Sequence, residues 1–539
     1  MANYTLTVID TSGIQDYIFG SNNLKQNVGA SACAHWATHN RVYETLNGLG
    51  KSNISNRSEF NDLQIEVSED GLVSELIYAG GGNTVILFRN TPLFEGWTPA
   101  HEFTHRLTRT ILAEMPGVEL VVAHSEFDWE TTQLGKLVAE TIQKVAAKKM
   151  RRAASTPLLG LSVTADCQYT GLPAAGEIPD PDGLLRRVSA EVAAKNTAFE
   201  WADDRLDEIF KTHGQLDLKG YRFVRDFDEF GEKGESSYVA VIHTDGNRMG
   251  ERVEALANRY RASRDYITEM RKFSRSIEAA AGSALTATVR QMRDSIVDGK
   301  IGGIITVRYD KEEKKTILPF RPIVFGGDDV TFVTDGRLGL TLTAFYLEQL
   351  MAHKLTDEEG PIVARAGIAV VKSHYPFARA YDLAEGLQRS AKTATEKGRL
   401  AAIDWHFATS GAVLPLEEIR KRQYTVPAGQ LNLRPLAFQD TTVAEWHTWD
   451  AFKAMVARFN AQDWAKRHNK IKGLQAVLRD GGDAVRQFRT LYDLPELPAI
   501  PGNSDAATKG WIGDRCTCYD AIEALEFFVP LEEAAYANV

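Results

Sequence analysis

Two segments of the chain repeat the same order of β-prone runs and turn residues, and this repeat limits the possible folds more than any other feature. The segments IYAGGGNTVILF (77–88) and IVFGGDDVTFVT (323–334) each carry two β-prone runs around a glycine-rich turn, which predicts a hairpin. A strand candidate precedes each hairpin, at 4–13 and 238–247, and an amphipathic helix and an apolar strand follow it. Strand, helix, hairpin, helix, strand is the ferredoxin-like order. The repeat therefore predicts two copies of one α+β domain.

The repeat divides the chain into four predicted parts. With 539 residues, the chain is long enough for several domains that each bury a core. We expect a first ferredoxin-like domain at 1–150 and a second one at 236–410. Residues 151–235 join a Pro/Gly-rich stretch to a helical one, which favours a connecting unit over a free linker. Helix-forming residues dominate 411–539, so a helical C-terminal domain is predicted there.

The composition argues against several classes of protein. Hydrophobic residues make up 44% of the chain and charged residues 25%, which is the usage of ordinary globular proteins. The net charge of −10 argues against nonspecific binding of nucleic acid through a global positive field. Four cysteines cannot form a disulfide framework in so long a chain, no apolar run is long enough to span a bilayer, and the N-terminal sequence lacks the features of a signal peptide. We therefore expect a cytoplasmic protein that does not insert into a membrane.

The turn of the second hairpin carries the residues most suited to catalysis. Asp328 and Asp329 follow Gly326 and Gly327 between two apolar strands, where adjacent carboxylates repel one another unless a cation neutralises them. In a ferredoxin-like sheet the end of the first strand lies beside the tip of the central hairpin, which brings Asp245 to the same place. Carboxylates are hard oxygen ligands of the kind that Mg²⁺ and Mn²⁺ prefer. We therefore predict that Asp245, Asp328 and Asp329 are catalytic and bind a divalent metal.

A polar hairpin turn is the simpler interpretation of the GGDD sequence, because glycine and aspartate are common turn residues. The position of Asp245 at a matching strand end favours the catalytic interpretation. The first hairpin provides an internal comparison, since its turn, GGGN at 80–83, keeps the glycines and lacks the acids. The pattern predicts one catalytic copy and one structural copy.

The sequences TDGNRMG and FGGDDV together resemble the polymerase/cyclase palm in the large subunit of type III CRISPR effector complexes, a family related to GGDEF nucleotidyl cyclases. Further similar stretches are GIQDYIF, LKQNVGAS, AGGGN, TGLPA, SAEVAAK, YPFARAYDLAEGLQRSAK and IDWH, so the resemblance covers roughly residues 1–410 in order. It implies two palm domains. It also implies synthesis of a cyclic oligoadenylate-type second messenger from ATP in antiviral defence.

The resemblance implies ligands and residue roles as well. Two Mg²⁺ or Mn²⁺ ions would be held by the three acids together with the carbonyl of Gly246. The nucleotide-binding residues would be Gly246, Asn247, Gly326, Gly327 and Lys392. Lys392 matches the alanine-lysine element that contacts the triphosphate in related cyclases. CRISPR effector subunits and guide or target RNA are the implied partners.

The chain departs from the family's pattern in three respects. Asn247 stands where the family usually has a second acid, and the connecting unit has only Cys167 where many relatives have a zinc-binding cysteine cluster. Because the sequence starts directly at the first palm, we expect no HD nuclease domain and no DNase activity. Two alternatives stay open: a stand-alone antiphage cyclic nucleotide synthase that works as a homodimer, and a catalytically decayed scaffold subunit of an RNA-guided complex.

One further motif has the spacing of a zinc site. His101, Glu102 and His105 match the HExxH pattern of metalloproteases. The segment falls on the predicted helix that follows the first hairpin, and no third-ligand signature follows it. We therefore expect no protease activity and no bound zinc.

Overall fold

The first repeat folds as a four-stranded antiparallel sheet with helices on both faces. The computed structural model describes residues 3–55, 60–80, 82–93, 96–151, 161, 163–180, 183–231, 237–395, 399–408, 414–438, 444–500 and 503–531. The strand order is β2-β3-β1-β4, which is the ferredoxin-like order that the repeat predicted. The elements are β1 (Tyr4–Ser12), α1 (Ile14–Phe19), α2 (Leu24–Thr38), α3 (Asn40–Leu49), β2 (Ser74–Gly80), β3 (Asn83–Arg89), α4 (Pro99–Glu114), β4 (Glu119–Phe127) and α5 (Leu134–Arg151).

Strand β1 lies inside this sheet, between β3 and β4, and its residues are buried on both faces. Leu6 and Val8 belong to the same buried cluster as Val138 of α5. Ile9 points to the other face and belongs to the cluster of Phe103 on α4. Successive residues of a strand point to opposite faces, so β1, which is buried on both faces, lies between two layers of helices.

The second repeat has the same order of strands with two added. Its sheet runs β14-β15-β8-β16-β17-β20, in which β16 and β17 are parallel and the other neighbours are antiparallel. The first four strands correspond in order to β2-β3-β1-β4 of the first repeat. The elements are β8 (Tyr238–Gly246), α7 (Met249–Arg259), α8 (Ser263–Asp294), β14 (Phe320–Val324), β15 (Val330–Asp335), α9 (Gly339–Met351), β16 (Ala364–Lys372), α10 (Phe377–Ala394) and β17 (Ala402–Ala408).

Short strands and one long helix surround these two sheets. Five short strands lie between α8 and β14: β9 (Ile296–Val297), β10 (Lys300–Ile301), β11 (Ile305–Thr306), β12 (Tyr309–Asp310) and β13 (Lys315–Leu318). The connecting unit contains a hairpin, a 25-residue helix and a short strand: β5 (Gly176–Pro179), β6 (Leu185–Val188), α6 (Ala190–Gly214) and β7 (Tyr221–Phe223). Helix α6 packs against α2 of the first repeat and α8 of the second, so the connecting unit contacts both repeats.

The C-terminal part is mainly helical, as predicted, and also contains short strands. Its elements are α11 (Leu416–Ile419), β18 (Thr425–Val426), β19 (Gly429–Gln430), β20 (Leu436–Ala437), α12 (Trp449–Asn460), α13 (Gln462–Ala465), α14 (His468–Val477), α15 (Gly482–Leu491), α16 (Ser504–Lys509), β21 (Trp511–Ile512), β22 (Arg515–Cys516) and α17 (Tyr519–Ala524). Strand β20 extends the second sheet beyond β17. None of the helices in the described part of the chain is both long and apolar enough to cross a membrane.

Candidate functional site

Strand pairing brings the carboxylates of the second repeat together. Strand β8 is central, and Thr244 of β8 pairs with Val330 of β15. Asp245 follows Thr244 on β8 and Asp329 immediately precedes Val330, so the two acids lie side by side where the strands meet the GGDD turn. The close approach of Asp328 to Gly246 depends on the glycine, because a Cβ at Gly246 would lie 2.7 Å from the Asp328 Cβ. The fold therefore gathers Asp245, Gly246, Asp328 and Asp329 at one edge of the sheet.

The carboxylates of the turn are held in a costly electrostatic state. Burial, followed by the charges of Asp245 and Asp329, raises the pKa of Asp328 to about 7. Burial, Asp245 and Glu385 likewise raise the pKa of Asp329 to about 7. The Asp329 side chain is 50% exposed, so water screens its charge. We therefore expect the pKa of Asp329 to rise less than the pKa of Asp328. A hard divalent cation would relieve both the repulsion and the burial cost, so this donor set fits Mg²⁺ or Mn²⁺.

Asp245 is oriented by two neighbours that the sequence analysis missed. Arg365 lies opposite Asp245 on β16 and its Nη2 donates to Asp245 Oδ2 at 2.5 Å. Gln388 Nε2 of α10 donates to the same oxygen at 3.0 Å. Within the described ranges, no group of three or more His, Cys, Asp or Glu side chains is already arranged around a common metal position. The three carboxylates are close enough to repel one another, but Asp245 is turned toward Arg365.

His243, which the sequence analysis also missed, supports Asp329 from the same strand as Asp245. Its Nδ1 lies 3.3 Å from Asp329 Oδ1 and 3.2 Å from the hydroxyl of Thr331. Burial lowers the pKa of His243 despite the nearby Asp245, so the ring is neutral at pH 7. Arg365 and His243 each stand as a polar residue within an apolar strand sequence, and this signal could have identified them.

Two of the predicted nucleotide-binding residues, Asn247 and Lys392, do not line either of the cavities beside the GGDD turn. Asn247 is buried, with its Oδ1 bonded to Arg365 Nη1 and its Nδ2 donating to the Leu400 carbonyl at 3.1 Å. Lys392 lies near the end of α10, is exposed and does not line either of the cavities beside the GGDD turn. Gly326 and Gly327 line both of those cavities.

The two cavities lie between the repeats, one on each side of the GGDD turn. The first has a volume of about 340 Å³, and its wall combines Asp245, Asp328 and Asp329 with Thr11 and Gln15 of the first repeat. The second has a volume of about 210 Å³ and extends toward the turn of the first hairpin and helix α8. His35 and His39 of α2 line both cavities, with ring centroids 4.0 Å apart. The acids therefore face a cleft that neither repeat forms alone.

The first repeat has a matching position without the matching chemistry. Asp10 of β1 pairs with Asn83 of β3, as Asp245 stands beside Asp329 in the second repeat. The Asn83 amide, in the orientation that satisfies its neighbours, donates to the Asp10 carboxylate oxygens at 3.1 and 3.3 Å. Lys149 of α5 forms an ion pair with Asp10. This single acid is thus neutralised within the protein; Gly81 of the same turn lies outside the described residues.

The HExxH residues serve as helix-cap and surface contacts in the structure. His101 Nδ1 caps the start of α4 through Thr98. Glu102 accepts hydrogen bonds from Trp97 and Arg106. The Glu102 carboxylate is therefore occupied by neighbouring side chains at the protein surface. The His105 ring packs against the Trp97 ring at a centroid distance of 6.1 Å.

Comparisons with known proteins show what the second repeat and the overall fold resemble. Residues 238–401 match the family described as Cas10/Cmr2, second palm domain. Csm1 in T. onnurineus has a TM-score of 0.53 and 14% sequence identity, with 98% of this chain and 70% of that chain covered. The Csm1-Csm4 cassette in complex with pppApApA has a TM-score of 0.54 and 13% sequence identity. The cassette in complex with one ATP has a TM-score of 0.53 and 15% sequence identity. In both comparisons 98% of this chain and 70% of that chain are covered. No curated protein matches the chain. Residues 238–401 therefore resemble the second palm domain of Cas10/Cmr2 proteins, and the chain as a whole shares its fold with Csm1.

Proposed function

We propose that this chain is a metal-dependent nucleotidyltransferase that joins ATP molecules through 3′–5′ bonds and closes the product into a cyclic oligoadenylate. The observation that carries the proposal is the cleft between the two palms, into which Asp328 and Asp329 project beside Asp245. Relatives of the same fold support it, because solved Csm1-Csm4 cassettes are described in complex with ATP, pppApApA and cA4. Such a product would act as a second messenger in antiviral defence.

The residues of the chain would each have a limited task in this reaction. Asp245, Asp328, Asp329 and the Gly246 carbonyl would hold Mg²⁺ or Mn²⁺, with two ions present once ATP is bound. Bound ions would lower the pKa of the attacking hydroxyl and stabilise the charge of the triphosphate. The 3′-hydroxyl loses its proton to solvent, its oxygen bonds to the α-phosphorus of the next ATP, and pyrophosphate leaves.

Neighbouring groups would keep this geometry fixed. Arg365 and Gln388 hold one oxygen of Asp245, which leaves Oδ1 of the same carboxylate for a cation. Gly326 has a φ of +100°, a conformation that side chains rarely adopt, and lets the backbone of the turn approach a nucleotide closely. Tyr381 stacks on Phe19 at 3.7 Å between ring centroids, and both rings line the first cavity.

Replacing Asp328 and Asp329 by Ala tests the proposal. We expect the double variant to lose ATP condensation by roughly a thousandfold or more, because several kcal/mol of metal-assisted stabilisation disappear. Its melting temperature without metal should not fall, since the change removes repulsion at a turn and little packing. Mass spectrometry of the products from each NTP with Mg²⁺ or Mn²⁺ provides the measurement.

The first palm provides a matched control for this experiment. Asn83→Ala alters the equivalent turn without removing an acid, and turnover should stay within a few fold of the parent rate. Melting curves with and without Mn²⁺ add a readout that does not depend on turnover, since the ion should stabilise the parent and not the double variant. A folded double variant that still converts ATP at the parent rate would refute the mechanism.

We further propose that the chain works with other CRISPR effector subunits and with guide or target RNA. The support is that its structural relatives are described as Csm1-Csm4 cassettes. Gel filtration of the purified chain with and without RNA tests this proposal. A shift to a larger complex that contains RNA is expected, whereas a stable dimer indifferent to RNA favours a stand-alone synthase.

A further inference from the structure

Arg205 differs from Arg252 and Arg321 because it forms no ion pair with a carboxylate in the described part of the chain. Arg252 pairs with Asp357 and Arg321 pairs with Asp203. Within the described residues, Arg205 makes one hydrogen bond, from Nη2 to the Phe325 carbonyl at 2.8 Å, and the carboxylates of Glu278 and Glu208 act on it from beyond ion-pair distance. A guanidinium that is partly removed from water without a directly paired carboxylate is unfavourable, and an anionic ligand would relieve that cost.

The position of Arg205 indicates where that ligand would lie. Arg205 is on α6 of the connecting unit and lines both cavities beside the GGDD turn. Its Nη2 lies so close to the turn that a Cβ at Gly326 would be 2.2 Å away. Its guanidinium carbon lies 4.5 Å from the centroid of the Phe325 ring. The backbone contact uses one N–H donor, and the remaining donors have no partner among the described residues.

The surroundings of Arg205 also favour an anion. His35 and His39 line the same cavities, and burial, followed by the charge of Arg205, lowers the pKa of both rings. Burial lowers the pKa of Arg205 itself to about 10, so it stays charged at pH 7. Arg205 therefore places a positive charge beside the carboxylates of the turn, flanked by neutral imidazoles, and it shares the second cavity with Glu278, whose charge acts on it without a direct ion pair.

We infer that Arg205 binds a phosphate group of the nucleotide that occupies the cleft between the palms. Arginine recognises phosphate through several parallel N–H donors, which suits a side chain already fixed against the Phe325 ring and carbonyl. The connecting unit would then supply a phosphate-binding residue to a site whose acids come from the second palm. This inference rests on the proposed function, because that function defines the ligand as a nucleotide.

Calorimetric titration of the full-length chain tests the inference with three probes in the presence of Mg²⁺: ATP, inorganic tripolyphosphate and adenosine. Arg205→Gln should weaken the binding of ATP and tripolyphosphate at least tenfold, about 1.4 kcal/mol. Adenosine binding should not change, since adenosine carries no phosphate. Arg205→Lys keeps the charge and should lose less affinity for ATP than Arg205→Gln.

Arg275→Gln is a matched control because it removes the same charge from an exposed residue of α8 that does not line either cavity. It should leave all three affinities unchanged. Equal losses for ATP and adenosine in Arg205→Gln, or no loss for tripolyphosphate, would overturn the inference and assign Arg205 to support of the turn. If Arg205→Gln does not fold, the comparison of Arg205→Lys with the parent decides, and unchanged ATP affinity there overturns the inference. If the parent chain binds ATP through Arg205 but forms no product, the proposed function is refuted and the inference about Arg205 stands.

Discussion

Arg365 controls the charge balance of the candidate site at the scale of single residues. Its side chain is 3% exposed, and it donates to both Asp245 and Asn247. Asn247 is uncharged, so the positive charge of Arg365 is available to Asp245. In the absence of metal this pair leaves Asp328 and Asp329 as the uncompensated acids of the cleft, which agrees with the raised pKa of each.

Arg365→Gln should therefore make the chain more dependent on divalent ions for stability. Loss of this charged donor should cost about 1–3 kcal/mol in the metal-free protein, moderated because the Asp245 side chain is 36% exposed. Added Mn²⁺ should recover more stability in the variant than in the parent, since three carboxylates then lack a counter-ion. Melting curves in chelator and in Mn²⁺ measure both effects.

Arg252→Gln is the control for this prediction, because it breaks a buried arginine–aspartate pair whose arginine and aspartate do not line the cleft. The Arg252→Gln protein should be less stable than the parent, and Mn²⁺ should raise its stability no more than it raises that of the parent. Equal responses of the two variants to Mn²⁺ would show that Arg365 has no part in the charge balance of the site.

At the scale of elements, a buried ion network joins α8 of the second palm to β2 of the first. Glu75 of β2 is fully buried and accepts hydrogen bonds from Arg264 and Arg271 of α8, both at 2.7 Å. Burial tends to raise the pKa of Glu75, but hydrogen bonds and charges of the two arginines outweigh it and lower the pKa below 4.5. The network thus helps to fix how the two palms face each other across the cleft.

The pH dependence of stability should report this network. Because the folded pKa of Glu75 is below its ordinary value, its contribution is present above pH 4.5 and is lost as the pH falls through the folded pKa. Glu75→Gln should therefore cost about 3 kcal/mol at pH 7, and the difference from the parent should shrink below pH 4.5. Denaturant unfolding of the full chain at several pH values measures the difference.

An exposed pair serves as the comparison for Glu75. Glu418 pairs with Arg422 on the surface of the C-terminal part, and Glu418→Gln should cost less than about 1 kcal/mol at any pH. A Glu75→Gln chain that is as stable as the parent at pH 7, or one whose deficit persists undiminished at low pH, contradicts the assigned role.

The elements show how far sequence reasoning reaches for this protein. Both hairpins and their flanking strands were predicted from repeated apolar runs, because a buried strand can be recognised from a few neighbouring residues in the sequence. The strands of two residues, such as β9 and β10, were not predicted, since they are too short to carry a period. Arg205 was not identified because its position depends on a contact with Phe325, which lies 120 residues away in the sequence and in another part of the fold. The sequence thus indicated the acids of the site but not the groups that hold them.

At the scale of the whole molecule, both walls of the cleft come from one chain. The first cavity joins Thr11 and Gln15 of the first palm to the acids of the second, and α6 of the connecting unit contributes Arg205. The first palm keeps Asp10 but neutralises it with Lys149, so it contributes shape rather than a second set of acids. A chain built in this way should need no second copy to complete the cleft of the candidate site.

The rate per chain should therefore stay constant when the protein is diluted. If catalysis needed two copies, dilution below the dissociation constant of the dimer would reduce the rate per chain by mass action. We expect product formation per chain, measured by mass spectrometry over a wide dilution series with saturating ATP and Mn²⁺, to be independent of protein concentration. Light scattering on the same samples establishes the mass of the active species. A rate per chain that falls together with the loss of a dimer would favour the stand-alone homodimeric synthase, because the cleft within one chain would then be insufficient for turnover.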